Sequence, residues 1–318
     1  MVNQTPQRCS PMKRLFTLFL FFCFFQLSGF AKNHKVVFVQ DDMSNDFRKA
    51  QVLEVEKHIQ GIEGVEFSYT NAKGRLSLFI YHLEKTIKKG ADIILIGTPS
   101  ASAISPALKK AKQQGIKTII IDRGVTSSDY TTFLNSDNIK IGEISAKYIV
   151  DKLQGKGKVL LLEGLPKADV TQHRTKGFMD VVANYPDIKV VQRVGNFLRK
   201  DAIREMEKLL DNNATFDAIF AESDSMLAGV RSVFKARDLD ISKLITVGCD
   251  YTSQARQAII DGKQDASVKF PLAGKESVEV VKKLIANESV EKHMLIPVQL
   301  INSQNVISVD PIFWEPLN

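Results

Sequence analysis

At 318 residues the chain is long enough for two domains of ordinary size. Its formal charge of +7 comes without a long Lys/Arg block, so nucleic-acid binding is not indicated. Of its three cysteines, Cys9 and Cys23 fall in an N-terminal targeting-type segment and only Cys249 remains, which excludes an intrachain disulfide and leaves the fold to its own core.

That N-terminal segment has three parts. Arg8, Lys13 and Arg14 form a basic stretch, Leu15 to Leu27 is Phe-rich and uncharged, and Ser28-Gly29-Phe30-Ala31 ends in small residues. This is the pattern of a secretory signal peptide over residues 1–31, with cleavage expected after Ala31 and a periplasmic destination. The apolar run is too short for a stable membrane anchor. Loss of its three basic residues takes the charge down to +4.

Short β-rich runs then alternate with amphipathic stretches. Strands are expected over 36–39, 65–69, 92–96 and 118–121, with helices over 47–59, 76–88 and 103–113 between them. After a polar interval at 127–137 with a short strand at 132–134, the alternation resumes. Helices are expected over 139–153, 174–183, 201–210, 226–236, 252–260 and 275–285. Strands are expected over 159–162, 188–191, 218–220, 244–247, 266–270 and 298–301. Two βα series of the same grammar predict an α/β chain with two Rossmann-like lobes and mainly parallel sheets. The tail from Val306 to Asn318 has no role in this pattern.

Signatures of common enzyme classes are missing: there is no G-x-G-x-x-G after a strand, no P-loop and no G-x-S-x-G elbow. The five histidines show no metal-ligand spacing. What remains is a set of polar and aromatic residues just past strand ends. They are Asp41, Asp42, Asn45, Phe47 and Arg48 after the first strand and Asp122-Arg123 after the fourth. In the second series they are Gln172, Arg174, Phe197, Ser223, Asp224 and Asp250. Ligands of open α/β sheets sit at such carboxyl ends. Carboxylates accept from hydroxyls, Arg and Asn donate, and Phe covers C–H faces, which is the chemistry a sugar requires.

From Lys35 to about Asn302 the chain resembles the ribose- and galactose-type periplasmic sugar-binding proteins, the type I substrate-binding components of ABC transporters. The matching motifs are Ser44-Asn45-Asp46-Phe47, Ile121-Asp122-Arg123, Ser136-Asp137-Asn138 with Gly142, and Arg174-x-x-Gly177-Phe178. Phe220-Ala221-x-x-Asp224-x-Met226 and Val247-Gly248-x-Asp250 continue the series in order. The resemblance implies two lobes, 32–135 plus 271–297 and 136–270 plus 298–318, joined by three hinge crossings and closing on ligand.

It also implies ligand contacts from Asn45, Phe47, Asp122 and Arg123 in the first lobe and from Phe197 and Asp250 in the second. Four site positions depart from ribose binders: Arg48 replaces a second aromatic, Gln172 an Arg, Ser223 an Asn and Phe270 a Gln. A pentose or hexose, or a related polyol, is the implied ligand, bound by a monomer without cofactor, metal or catalysis. The implied partner is an inner-membrane ABC permease. The alternative output is docking on a membrane sensor kinase or chemoreceptor.

Overall fold

Apolar, β-branched runs bounded by turn residues become the inner strands of two sheets, because a parallel strand is covered on both faces. The computed structural model describes residues 33–312 together with Met1 and Val2. The expected signal segment from residue 3 onward and the end of the tail, with Trp314, lie outside the described residues. The first sheet holds β1 (His34–Gln40), β2 (Val65–Asn71), β3 (Ile93–Gly97), β4 (Lys117–Ile121) and β5 (Thr132–Asn135). With β11 (His293–Leu295) their order is β11-β5-β4-β3-β1-β2. The second holds β6 (Gly157–Glu163), β7 (Ile188–Val194), β8 (Ala218–Ala221), β9 (Ile245–Asp250), β10 (Ala266–Lys269) and β12 (Gln299–Asn302), in the order β12-β10-β9-β8-β6-β7. All pairings are parallel except that of β12 with β10.

Helices flank both sheets: α1 (Asp46–Ile59), α2 (Leu76–Lys88), α3 (Ser105–Gln113) and α9 (Gly274–Ile285) on the first, and α4 (Asn138–Leu153), α5 (Asp169–Val182), α6 (Arg199–Asp211), α7 (Asp224–Ala236) and α8 (Ser253–Ile260) on the second. Each sheet is sandwiched between two apolar clusters. Ile119 and Ile121 face one side and Ile120 the other, all three fully buried. Truncating any of them to Ala would cost about 2–5 kcal/mol. The chain passes between sheets three times, after β5, after β10 and between β11 and β12, which gives the two-lobed, three-hinge architecture.

Two glycines explain one matching pair of sequence motifs. A Cβ on Gly142 would stand 2.1 Å from the Arg174 carbonyl oxygen, and one on Gly177 would stand 2.1 Å from that of Ile139. Helices α4 and α5 therefore touch backbone to backbone, and this contact brings Arg174 against Asn138, whose Oδ1 accepts from Arg174 Nε at 2.9 Å.

Local pattern misjudged two places. β11 was not anticipated: its residues alternate exposed and half-buried, and it is a strand because His293, Met294 and Leu295 pair with Phe133, Leu134 and Asn135 of β5. Helix α5 starts at Asp169 rather than Arg174, and that shift matters at the site.

Candidate ligand-binding cleft

Strand carboxyl ends and helix N-termini of both lobes meet around a small, largely filled cavity. It is lined by Asn45, Phe47, Arg48, Asp122 and Arg123 from the first lobe, by Val170, Arg174, Phe197, Ser223 and Asp250 from the second, and by Phe270 at a hinge. Of the strand-end residues expected from the sequence, Asp41, Asp42 and Asp224 lie outside the lining, and so does Gln172. It is exposed, and its amide donates to the Pro166 carbonyl at 3.2 Å. The cause is helix phase. Val170 and Arg174 are four apart and share the inner face of α5, whereas Gln172 lies two from each and points away.

The first-lobe face is an ion network. Strand β4 ends because Asp122 takes a left-handed backbone (φ +67°), which Asp tolerates better than most residues. Asp122 Oδ2 stands 2.8 Å from Arg48 Nη2. Behind them, buried Asp41 meets Arg123 Nη1 at 2.7 Å and Arg48 Nε at 3.5 Å. Gln51 accepts from Arg48 Nη1 at 3.3 Å and donates to the hinge carbonyl of Leu272 at 2.9 Å. Burial and the neighbouring Arg48 charge lower the pKa of Arg123, with Asp41 and Asp122 opposing; a guanidinium remains charged all the same. Asp41, expected from its position directly after β1, does not line the cavity but places both arginines that do.

The second-lobe face is built differently. Asp250 is buried with φ +109°. Burial pushes its carboxyl well above the ordinary range, with Arg174 opposing and the Asp224 and Asp122 charges adding to the rise. Arg174 spends two donors on structure, to Asn138 and to the Glu222 carbonyl at 2.6 Å. Its guanidinium carbon also stands 4.7 Å from the Phe270 ring centroid, a cation–π contact. Phe270 in turn stacks on Phe47 with centroids 4.9 Å apart. Ser223 caps α7 by accepting from Met226 N at 3.3 Å. The Phe197 ring rests on Gly164, where any Cβ would collide at 1.9 Å.

Beneath that ring, Gly164 N donates to Glu222 Oε2 at 2.8 Å. Burial raises the Glu222 carboxyl to about 8. Geometry agrees with a proton there. Thr175 Oγ1 lies 2.9 Å from both Glu222 Oε1 and Glu163 Oε1, and one hydroxyl proton serves only one of them. A protonated Glu222 donates to Thr175, which donates onward to Glu163.

The lobes are closed on each other. Asn45 caps α1 through Oδ1, accepting from Arg48 N at 3.0 Å, and its Nδ2 donates to the Phe197 carbonyl at 2.8 Å. Asp46 Oδ2 meets Arg199 Nη2 and Ser225 Oγ, both at 2.9 Å, and Gly124 N donates to Asp169 Oδ2 at 2.8 Å.

Four buried polar atoms on the lining side chains have no hydrogen-bond partner among the described residues: Arg48 Nη2, Asp122 Oδ1, Arg123 Nε and Asp250 Oδ2. The Arg48–Asp122 approach is thus an ion contact without hydrogen-bond alignment. Two acceptors and two donors are left over where unpaired groups are costly. Among the described residues no cluster of three or more His, Cys, Asp or Glu could hold a metal, and no helix is long and apolar enough to cross a membrane. Cys249 is buried, and burial pushes its thiol well up.

A family model described as "Periplasmic binding protein domain" matches residues 36–289. The chain is 29% identical over 275 residues to a ribose import binding protein of Bacillus subtilis, which covers 86% of this chain and 88% of that one. It is 30% identical to the D-xylose-binding periplasmic protein of Escherichia coli, over 83% of this chain and 74% of that one. A solved galactofuranose binding protein superposes with a TM-score of 0.80 at 25% identity, covering 86% of this chain and 96% of the other. The fructose binding periplasmic domain of a hybrid two component system superposes with the same score at 23% identity, covering 86% and 92%.

Proposed function

The chain belongs to the periplasmic binding protein domain family, and we propose that the cavity between its lobes takes a single neutral sugar or a polyol of similar size. It is a periplasmic sugar-binding protein that serves an inner-membrane ABC importer, like the import binding proteins among its relatives. The sensor domain of similar fold does not favour a sensing output over import. The first 31 residues would be removed on export, which mass determination of the periplasmic form would show.

The observation that carries the ligand reading is the set of lining atoms without a hydrogen-bond partner, Asp122 Oδ1, Arg123 Nε and Asp250 Oδ2, together with Arg48 Nη2, which has only an ion contact. A hydroxyl both donates and accepts, so vicinal hydroxyls satisfy a carboxylate and a guanidinium together. Charge on the first-lobe face is matched, with Arg48 and Arg123 standing against Asp41 and Asp122, so an ionised ligand would meet no spare counter-charge there. The Phe47, Phe197 and Phe270 rings supply apolar surface for C–H faces. Asn45 acts mainly in closure, since both ends of its amide are already engaged. Binding occurs without turnover, and the sugar should be recovered unchanged.

A thermal-shift screen against pentoses, hexoses and cyclic polyols tests this. A ligand at a hundred times its dissociation constant adds about 2.7 kcal/mol to stability and raises the midpoint. No shift with any polyhydroxylated compound would overturn the reading.

A further inference from the structure

Asp250 and Tyr251 are consecutive non-glycine residues with positive φ, +109° and +61°. Such a conformation persists only where the surroundings over-determine it. Here it turns the chain off β9 at the residue whose carboxylate lines the cavity with Oδ2 unpartnered.

The conformation is held from two sides. From within the lobe, Asp224 Oδ2 accepts from Tyr251 N at 2.7 Å and from Thr252 N at 3.1 Å, while Ser267 Oγ donates to the same oxygen at 2.8 Å. From outside it is held by the tail. Ile312 N donates to the Tyr251 carbonyl at 3.0 Å. The fully buried Tyr251 shares its hydroxyl between the carbonyls of Val306, at 3.1 Å, and Val309, at 2.9 Å. Arg256 Nε reaches Val306 O at 3.3 Å and Lys269 Nζ reaches Asp310 O at 2.8 Å, which fastens the segment to α8 and to the hinge strand. The Ile312 side chain enters one apolar cluster with Phe47, Phe270, Cys249 and Leu272, behind the stacked wall of the cavity.

We propose that residues 306–312 form a strap that positions Asp250 and the Phe47–Phe270 wall for ligand, with Tyr251 as its buckle. The inference rests on the reading of this cavity as the sugar site. Tyr251 is a positioning residue: it acts through the backbone it shares with Asp250.

The test is Tyr251→Phe in the full chain, which keeps the ring in its cluster and removes only the two carbonyl contacts. Without sugar, hydrogen exchange at the Tyr251 and Thr252 amides is expected to accelerate about tenfold, as for a local opening eased by one buried hydrogen bond. Calorimetry uses whichever of D-ribose, D-xylose, L-arabinose, D-galactose and myo-inositol binds the parent protein. Affinity is expected to fall about tenfold on the same grounds, while the sugar-free unfolding midpoint falls by no more than a few degrees. A lowered midpoint with unchanged affinity would make the strap a structural fastening and overturn the proposal. So would unchanged exchange. If no sugar binds the parent protein, the sugar reading fails by itself, and the exchange result alone decides for or against the strap.

Discussion

The two faces of the cavity solve the burial of charge in opposite ways. On the first-lobe face, every carboxylate has a guanidinium within 3.5 Å, and Asp41 ties both arginines from behind. On the second-lobe face, Asp250 has no ion-pair partner at that range among the described residues, and it stands on a backbone strained into place. Under the Phe197 ring of the same face, Glu222 is a carboxyl that burial raises to about 8. One face is therefore cross-linked by ion pairs, while the other carries the cost of a buried carboxyl that, in the reading proposed above, a ligand hydroxyl would offset. Site residues of one cleft thus divide into those that hold the fold together and those that wait for a partner.

The largest effect that would break this contrast is on the first face. Asp41→Ala leaves Arg48 and Arg123 buried with half their counter-charge, and the expected loss is about 3–5 kcal/mol of unfolding free energy in urea titrations. A loss under about 1 kcal/mol would mean that this face is no more preorganised than the other. Asp250→Asn should do the reverse. Sugar affinity falls by about 1.5–3 kcal/mol, the worth of a hydrogen bond to a charged group. The unliganded protein keeps or gains stability, because a buried carboxylate with a raised pKa has been made neutral. Equal losses of stability in the two variants would erase the distinction.

The smallest effect concerns pH. Folded Glu222 keeps its proton to about pH 8, whereas in the unfolded chain it releases it near its ordinary 4.5. Between those values the folded state binds more protons, so its contribution to stability is full below about 4.5 and is lost as pH rises toward 8. Glu222→Gln, which preserves both hydrogen bonds, should flatten the stability profile across that window by up to about 1.4 kcal/mol per pH unit. Melting curves at pH 5, 6.5 and 8 would measure it, and an unaltered slope would show that Glu222 is ionised throughout.

Much of this architecture was legible in the chain. The Ile119-Ile120-Ile121 run closed by Asp122-Arg123 announced a buried strand ending in charge, and that pair does line the cleft. Gln172 could not be placed, because its direction depends on where α5 begins, and the true start at Asp169 carries no side-chain cap. Arg174 stood both in the strand-end set and in the motif Arg174-x-x-Gly177-Phe178. It braces Asn138 and Glu222 and also lines the cavity. The tail showed no periodicity, since it is held by carbonyls that accept from Tyr251, Arg256 and Lys269 and by separate apolar anchors, Val306 and Ile312, in two different clusters.

By itself, then, the sequence determined the two βα series, the crossover near Asn135 and the residue types standing at strand ends, because these follow from periodicity within a few turns of chain. Only the tertiary structure decided which side chains share the cleft, which are spent on closure, as Asn45 is on the Phe197 carbonyl, and which are left without a partner. Those outcomes depend on contacts between residues more than a hundred positions apart, to which local patterning is blind.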